Sequence, residues 1–249
     1  MYWGKITPKT QSDVAELNRS GVVYDIPEPA MMLASATHIL SKLLGFTASA
    51  DSQTAVLGDG TPIPLMSYSL VEYLMGLDLS NFDVLEIGAG SSTAFWAKRA
   101  RSVLSLETDA GWAETVRKTA LPNSEVRATT EANVARDMLD LKRSFDIIVI
   151  DPAANRYRCG VSALKMLNPG GFIVLDNSDW YPNTARLLRE ADLIEVDFHD
   201  FRPNHHFRCT TSLYLRRDFR AKPNGDRLPL SPIGGKDMAQ QNTWDRPNG

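Results

Sequence analysis

The sequence predicts an α/β, doubly wound fold: a mostly parallel sheet with helices on both faces, an antiparallel C-terminal strand pair and an N-terminal helical extension. Three observations predict it. From Asn81 onward, short runs rich in Val, Ile and Leu alternate with segments of helical spacing, as parallel strands buried on both faces require. The run Val84-Leu85-Glu86-Ile87 leads into Gly88-Ala89-Gly90-Ser91-Ser92-Thr93, which reads as a strand, a tight glycine turn and the start of a helix. A second run, Ser102 to Leu106, ends in Glu107, about twenty positions past Gly88, where an acid at a strand end can accept both hydroxyl protons of a ribose.

The elements follow in order. Residues 1–80 form the helical extension, a lid over the later domain. Within it, Pro29 to Leu44 carries apolar residues at helical spacing and stops before Gly45. Leu57-Gly58-Asp59-Gly60-Thr61-Pro62-Ile63-Pro64 is a loop or short hairpin by its glycines and prolines. A helix from Ser67 to about Leu77 precedes the glycine-turn strand. Residues 81–220 form the nucleoside-binding domain, with strands expected at 84–87, 103–106, 125–128, 145–150 and 171–175. Helices are expected near 93–101, 110–119, 131–141, 157–167 and 183–190, and Pro169-Gly170-Gly171 reads as a turn before the fifth strand. Residues 193–198 and 210–215 alternate apolar and polar side chains, as an antiparallel edge pair does. Residues 221–249, rich in Pro, Gly, Asn and Asp, read as an extended tail.

A chain of 249 residues suits one α/β domain with appendages. Its net charge of -3 offers no electrostatic footprint for nucleic acid or an anionic membrane, which weighs against either as a partner. Cys159 and Cys209 are the only cysteines and read as free thiols of a reducing, cytoplasmic compartment. The start, Met1-Tyr2-Trp3-Gly4-Lys5, has no apolar core of a secretory signal, and no apolar run approaches a membrane span.

The nucleoside can be narrowed. In a dinucleotide site a third glycine permits close helix–strand packing by the pyrophosphate, and here that position is Thr93. Glu86, two residues before the first glycine, repels phosphate and suits a cationic ligand. S-adenosylmethionine carries an ammonium and a sulfonium and no phosphate. An NAD-linked oxidoreductase and a non-catalytic nucleoside-binding module of the same fold are the alternatives.

Four segments together resemble the class I S-adenosylmethionine-dependent methyltransferases, which have a Rossmann-like sheet. They are Leu85 to Ser92, Leu106-Glu107-Thr108-Asp109, Phe145 to Asp151, and Leu167 to Asn177 with its Pro-Gly-Gly turn. The resemblance implies that Glu86 orients the methionine end of the cofactor and that Gly88, Ala89 and Gly90 pass beneath it. It implies that Ser91 and Ser92 meet its carboxylate and that Glu107 holds its ribose; Ser92 as a plain helix cap is the competing reading. Asp151 belongs to the same rim, as a cofactor neighbour or a catalytic group. Asp151, Asp176 and Asn177 also resemble the cation site of catechol-type O-methyltransferases, although the loop Pro152 to Tyr157 lacks their lysine. A divalent cation is therefore not favoured. A further likeness, to bacterial methyltransferases of small molecules and glycans, rests on Pro62 to Tyr68, Gly88 to Thr93, Glu107 with Trp112, and Thr210-Thr211-Ser212.

The cluster His199 to Arg208 holds three of the four histidines, and His205 and His206 are candidate bases. A solvated hairpin loop is the alternative. Asp179, Trp180 and Tyr181 are candidate walls for an aromatic or amphipathic substrate.

Overall fold

The computed structural model describes residues 28–225 and 229–235. The chain divides into two compact units, 1–38 and 39–249. In the first, helix α1 spans Pro29–His38; the rest of the predicted extension up to residue 27 lies outside the described residues. The second opens with a π-helical turn, Ile39–Leu43, so the stretch expected as one α-helix to Leu44 changes its winding at Ile39.

In the second unit α2 (Phe46–Ser52), α3 (Tyr68–Met75) and the short β1 (Leu77–Asp78) precede the main sheet. Strands and helices then alternate as β2 (Asp83–Ile87), α4 (Ser91–Ala97), β3 (Ser102–Glu107), α5 (Ala110–Arg117), β4 (Ser124–Ala128) and α6 (Val134–Asp140). They continue as β5 (Phe145–Ile150), α7 (Arg156–Met166), β6 (Leu167–Asp176), α8 (Pro182–Arg189), β7 (Ile194–Phe201), β8 (Arg208–Leu215) and β9 (Lys222–Pro223). Seven strands form one sheet in the order β4-β3-β2-β5-β6-β8-β7. The first five are parallel, and β8 runs antiparallel to both β6 and β7, as the sequence led us to expect. Strand order reverses at β2, which opens a crevice beyond the carboxyl ends of β2 and β5.

The period-2 alternation of each strand decides what surrounds the site. Leu85, Ile87, Ile148, Ile150, Ile173 and Leu175 face one side, packing with Met138, Cys159, Ala163 and Leu188. Val84, Ile147, Val149, Phe172 and Val174 face the other, with Phe95, Trp96, Leu70 and Leu74. Glu86 and Ser105 therefore point into an otherwise apolar layer under α4.

One local expectation is corrected. Pro169-Gly170-Gly171 is not a break before a strand: it lies within β6, where pairing steps from Phe145↔Leu167 to Ile147↔Phe172 and the surplus residues bulge, with Gly170 at φ 74°. Of the expected extended tail, residues 226–228 and 236–249 lie outside the described residues, and the rest makes tertiary contacts. Lys222–Pro223 pairs with β1, the Asn224 N–H donates to the Gly76 carbonyl at 2.8 Å, and Ile233 packs on the core while its N–H donates to the Glu72 carboxylate. A two-residue ladder between distant segments carries no periodicity to read. Helix α2 falls within the helical extension the sequence predicts, although its seven residues, barely two turns, set no bounds of their own. Among the described residues no helix is long and apolar enough to cross a membrane. Both cysteines are buried free thiols, as expected.

Candidate active site

The glycine turn is held open from both sides. The Gly88 N–H donates to the Leu106 carbonyl at 2.9 Å, and the Asp151 N–H donates to the Ile87 carbonyl at 3.0 Å, so the turn is stitched to β3 and to the end of β5. Gly88 has φ 94°, and a Cβ there would stand 2.5 Å from the Asp151 carbonyl oxygen. A Cβ on Gly90 would instead meet nothing within 4 Å, because it would project into the crevice.

That crevice has a volume of about 340 Å³. Gly88, Ala89, Gly90, Ser91, Ser92, Glu107 and Asp151 all line it, with Trp112 closing one side. Glu107 is set by two backbone donors, the Ala89 N–H at 2.7 Å to one oxygen and the Asp109 N–H at 2.9 Å to the other. An ionised carboxylate has about four acceptor positions, so this one keeps capacity for a diol. The Trp112 indole N–H donates to the Ala89 carbonyl at 2.7 Å and spans the turn from α5. Helix α4 begins at Ser91, so Ser92 is inside the first turn rather than capping it. The capping role falls to Thr93, whose hydroxyl accepts the Gly90 N–H at 3.1 Å.

Beneath the turn Glu86 is fully buried. One carboxylate oxygen accepts hydroxyl protons from Thr93 and Ser105, each at 2.6 Å, while Oε1 has no partner. Burial pushes this carboxyl up to about 7, the hydroxyls of Ser105, Ser92 and Thr93 opposing. In the unfolded chain it ionises near 4.5, so the fold holds its proton more tightly. Stability contributed at low pH is then lost as pH rises from about 4.5 to about 7, on the order of 3 kcal/mol in total. Urea titrations at pH 5 and pH 8 should show wild type losing about 3 kcal/mol more than Glu86→Gln across that interval; equal losses would remove this account of Glu86.

At the β5 and β6 ends two arginines organise the acids. Arg156 donates from Nη2 to Asp151 at 2.9 Å and from Nη1 to the Asp176 carbonyl at 2.6 Å, with its guanidinium 4.4 Å over the Tyr181 ring. Arg202 pairs from Nη1 with the Asp176 carboxylate at 3.0 Å, and Thr211 donates to the other oxygen at 2.6 Å. Asn177, with its amide oriented to satisfy both neighbours, donates to Asp176 and accepts from Arg202. Asp151 and Asp176 are both raised above the usual carboxylate range, first by burial; the Asp176 charge adds to the rise at Asp151, and the two guanidiniums oppose it.

Asp151 keeps 31% of its side chain exposed, whereas Asp176 is sealed at 1%. The trio offered as cation ligands is thus divided: its two carboxylates are claimed by separate guanidiniums, and only Asp151 reaches the crevice. Among the described residues no cluster of three His, Cys, Asp or Glu side chains is arranged to hold a metal.

His205 and His206 do not line the crevice. The His205 Nδ1–H donates to the Pro203 carbonyl at 3.1 Å, which leaves Nε2 to accept from Arg202 at 3.2 Å. His206 is exposed and meets the edge of Phe207. The opposite wall was not legible as a group: Gln53, Thr54, Ala55, Leu65, Ala153 and Asn204 come from separate loops and meet only through the fold. Arg202 was missed as an organiser, since nothing local marks an arginine that pairs across 26 positions.

The class this geometry defines is an α/β fold with a seven-stranded, mostly parallel, Rossmann-like sheet, shared with solved structures that include a methyltransferase. The chain is similar to the cofactor-bound Rv0187 from MTB, with a TM-score of 0.53 and 20% identity over 77% of this chain and 99% of that one. It is also similar to precorrin-6y C5,15-methyltransferase from Geobacter metallireducens GS-15, with a TM-score of 0.50 and 14% identity over 67% and 96% of the two chains. At these identities the likeness is one of fold. No family model and no curated protein sequence matches the chain.

Proposed function

We propose that this chain is an S-adenosylmethionine-dependent methyltransferase acting on a hydroxyl of a small molecule or glycan. The observation that carries the reading is the pairing of two carboxylates with one glycine turn: Glu107 faces the crevice and Glu86 lies beneath it with Oε1 unpartnered. A pyrophosphate would meet the Glu107 carboxylate, and Thr93 fills the position where a dinucleotide site needs glycine, which disfavours an NAD-linked enzyme. A cationic, phosphate-free nucleoside matches the same groups. Glu107 would accept its ribose hydroxyls, Gly90 would leave room for it, and Glu86 would complement the positive methionine end.

When bound, the cofactor would supply a methyl group on a sulfonium for an acceptor oxygen, with the electron pair of the broken carbon–sulfur bond left on sulfur. Asp151 is the crevice group placed to take the acceptor proton, and Arg156 fixes its orientation. Its raised affinity for a proton suits that task. Positioning and exclusion of water supply most of the remaining acceleration.

Calorimetry with S-adenosylhomocysteine tests the reading. Wild type should bind, and Glu107→Ala should bind at least tenfold more weakly, since hydrogen bonds to a charged group contribute about 1.5–3 kcal/mol. No binding by wild type, or equal binding by the two, removes it.

A further inference from the structure

Four rings converge on the loop that follows β6 and the loop that precedes β8, neither of which the mechanism uses. Trp180 follows β6 and Phe207 precedes β8, with ring centroids 6.1 Å apart at an interplanar angle of 39°. His205 and His206 stand edge-on to Phe207 at 5.2 and 5.4 Å. Trp180 remains 53% exposed and Phe207 38% exposed. A lone exposed apolar residue needs no explanation, but two large aromatic rings sharing one face do. The face is tied to the crevice at both ends. Asn204 lines the crevice and lies three residues before Phe207, a span of at most about 10 Å along the chain. Tyr181, next to Trp180, supports the guanidinium that holds Asp151.

A polar cavity of about 260 Å³ adjoins these loops, reached through Asp179, the neighbour of Trp180, and through Thr210 and His199 of the same hairpin. It combines acids (Asp179, Asp197) with a guanidinium (Arg186). A wall with both donors and acceptors beside an aromatic face suits a neutral ring bearing several hydroxyls better than an ion or an aliphatic chain.

We propose that the Trp180–Phe207 face, with the Asp179 cavity beside it, is a subsite for a neutral sugar ring, which makes the methyl acceptor a glycoside. This deepens the methyltransferase reading and rests on it. The ring stacks its C–H face on Trp180 and Phe207, hydroxyls turned to the cavity meet Asp179 and Arg186, and the rest of the acceptor reaches toward Asp151.

The test uses the full chain labelled with 5-fluorotryptophan and followed by fluorine NMR, with the Trp180 signal assigned by its loss in Trp180→Phe. The probes are the methyl glycosides of glucose, galactose, mannose, rhamnose and N-acetylglucosamine, with p-cresol as the planar aromatic control. At least one glycoside should shift the Trp180 signal saturably. Phe207→Leu and Phe207→Ala should each weaken that binding at least fivefold while leaving S-adenosylhomocysteine affinity within twofold and the melting temperature unchanged. Two variants guard against one that folds poorly. A shift by p-cresol and by no glycoside, no shift by any probe, or a glycoside shift untouched by both Phe207 variants overturns the subsite. Binding of S-adenosylhomocysteine without any glycoside response leaves methyl transfer standing and the subsite refuted. A glycoside response without S-adenosylhomocysteine binding refutes methyl transfer, and with it the acceptor role of the subsite.

Discussion

Gly88→Ala is expected to lower stability by about 3–5 kcal/mol, the sum of a strained backbone and an overpacked contact. Two costs coincide at this position. Its φ of 94° disfavours any side chain, and the added Cβ would sit 2.5 Å from a backbone oxygen, that of Asp151. Flexible side chains can yield to a clash; the Asp151 carbonyl, one residue past β5, cannot do so without moving Asp151 itself. The melting temperature should fall by roughly 10 °C, and affinity for S-adenosylhomocysteine should fall with it even where the variant is fully folded. Gly90→Ala provides the contrast. Its added methyl meets nothing in the protein, so stability should change by less than about 1 kcal/mol while ligand binding is lost, because that space belongs to the crevice. A Gly88→Ala protein with unchanged melting would show that the turn is not pinned as described.

Arg202→Ala is expected to cost about 3–5 kcal/mol, as removal of one member of a buried ion pair does. Asp176 is 1% exposed and Arg202 7% exposed, so neither charge can recover its loss from water. The hydroxyl of Thr211 still supports one Asp176 oxygen, which places the expected value toward the lower end. The deficit should depend on pH with a definite sign. Burial already raises Asp176, and Arg202 is the leading charge that opposes the rise. Without Arg202 the carboxyl keeps its proton to higher pH, so the loss should be smallest near pH 5 and grow as pH rises toward 8. Asp176→Asn combined with Arg202→Met should recover most of the stability, since a buried pair is replaced as a unit at little cost. Denaturant titrations of wild type and both variants at both pH values check this, and a pH-independent deficit for Arg202→Ala would contradict it.

Legibility followed the range of the interaction that makes each feature. The five parallel strands could be read within a residue or two at most ends because each is a short apolar run bounded by a turn or helix signal, and Phe145–Ile150 has the same bounds in both readings. The bulge in β6 was hidden because Pro-Gly-Gly makes a turn in isolation, and only pairing with β5 and β8 keeps it in the strand. Residues contributed by one strand–turn–helix segment, Gly88 to Ser92, were legible as a group, and so was Glu107 through its spacing. The opposite wall was not, because Gln53, Leu65 and Asn204 come from three distant loops.

The histidine pair shows the limit most clearly. Residue type and loop position made His205 and His206 natural bases, yet the Pro203 carbonyl and Arg202 engage both ring nitrogens of His205, and His206 turns outward to Phe207. Sequence by itself determined the alternation of strands and helices, the glycine turn and the acids at the strand ends, because hydrophobic periodicity and backbone conformation are local properties. Tertiary structure alone decided which acids face the crevice and which are silenced. Asp151 and Asp176 both end strands, but the guanidinium that meets each, and the depth at which it does so, depends on loops brought together from far along the chain.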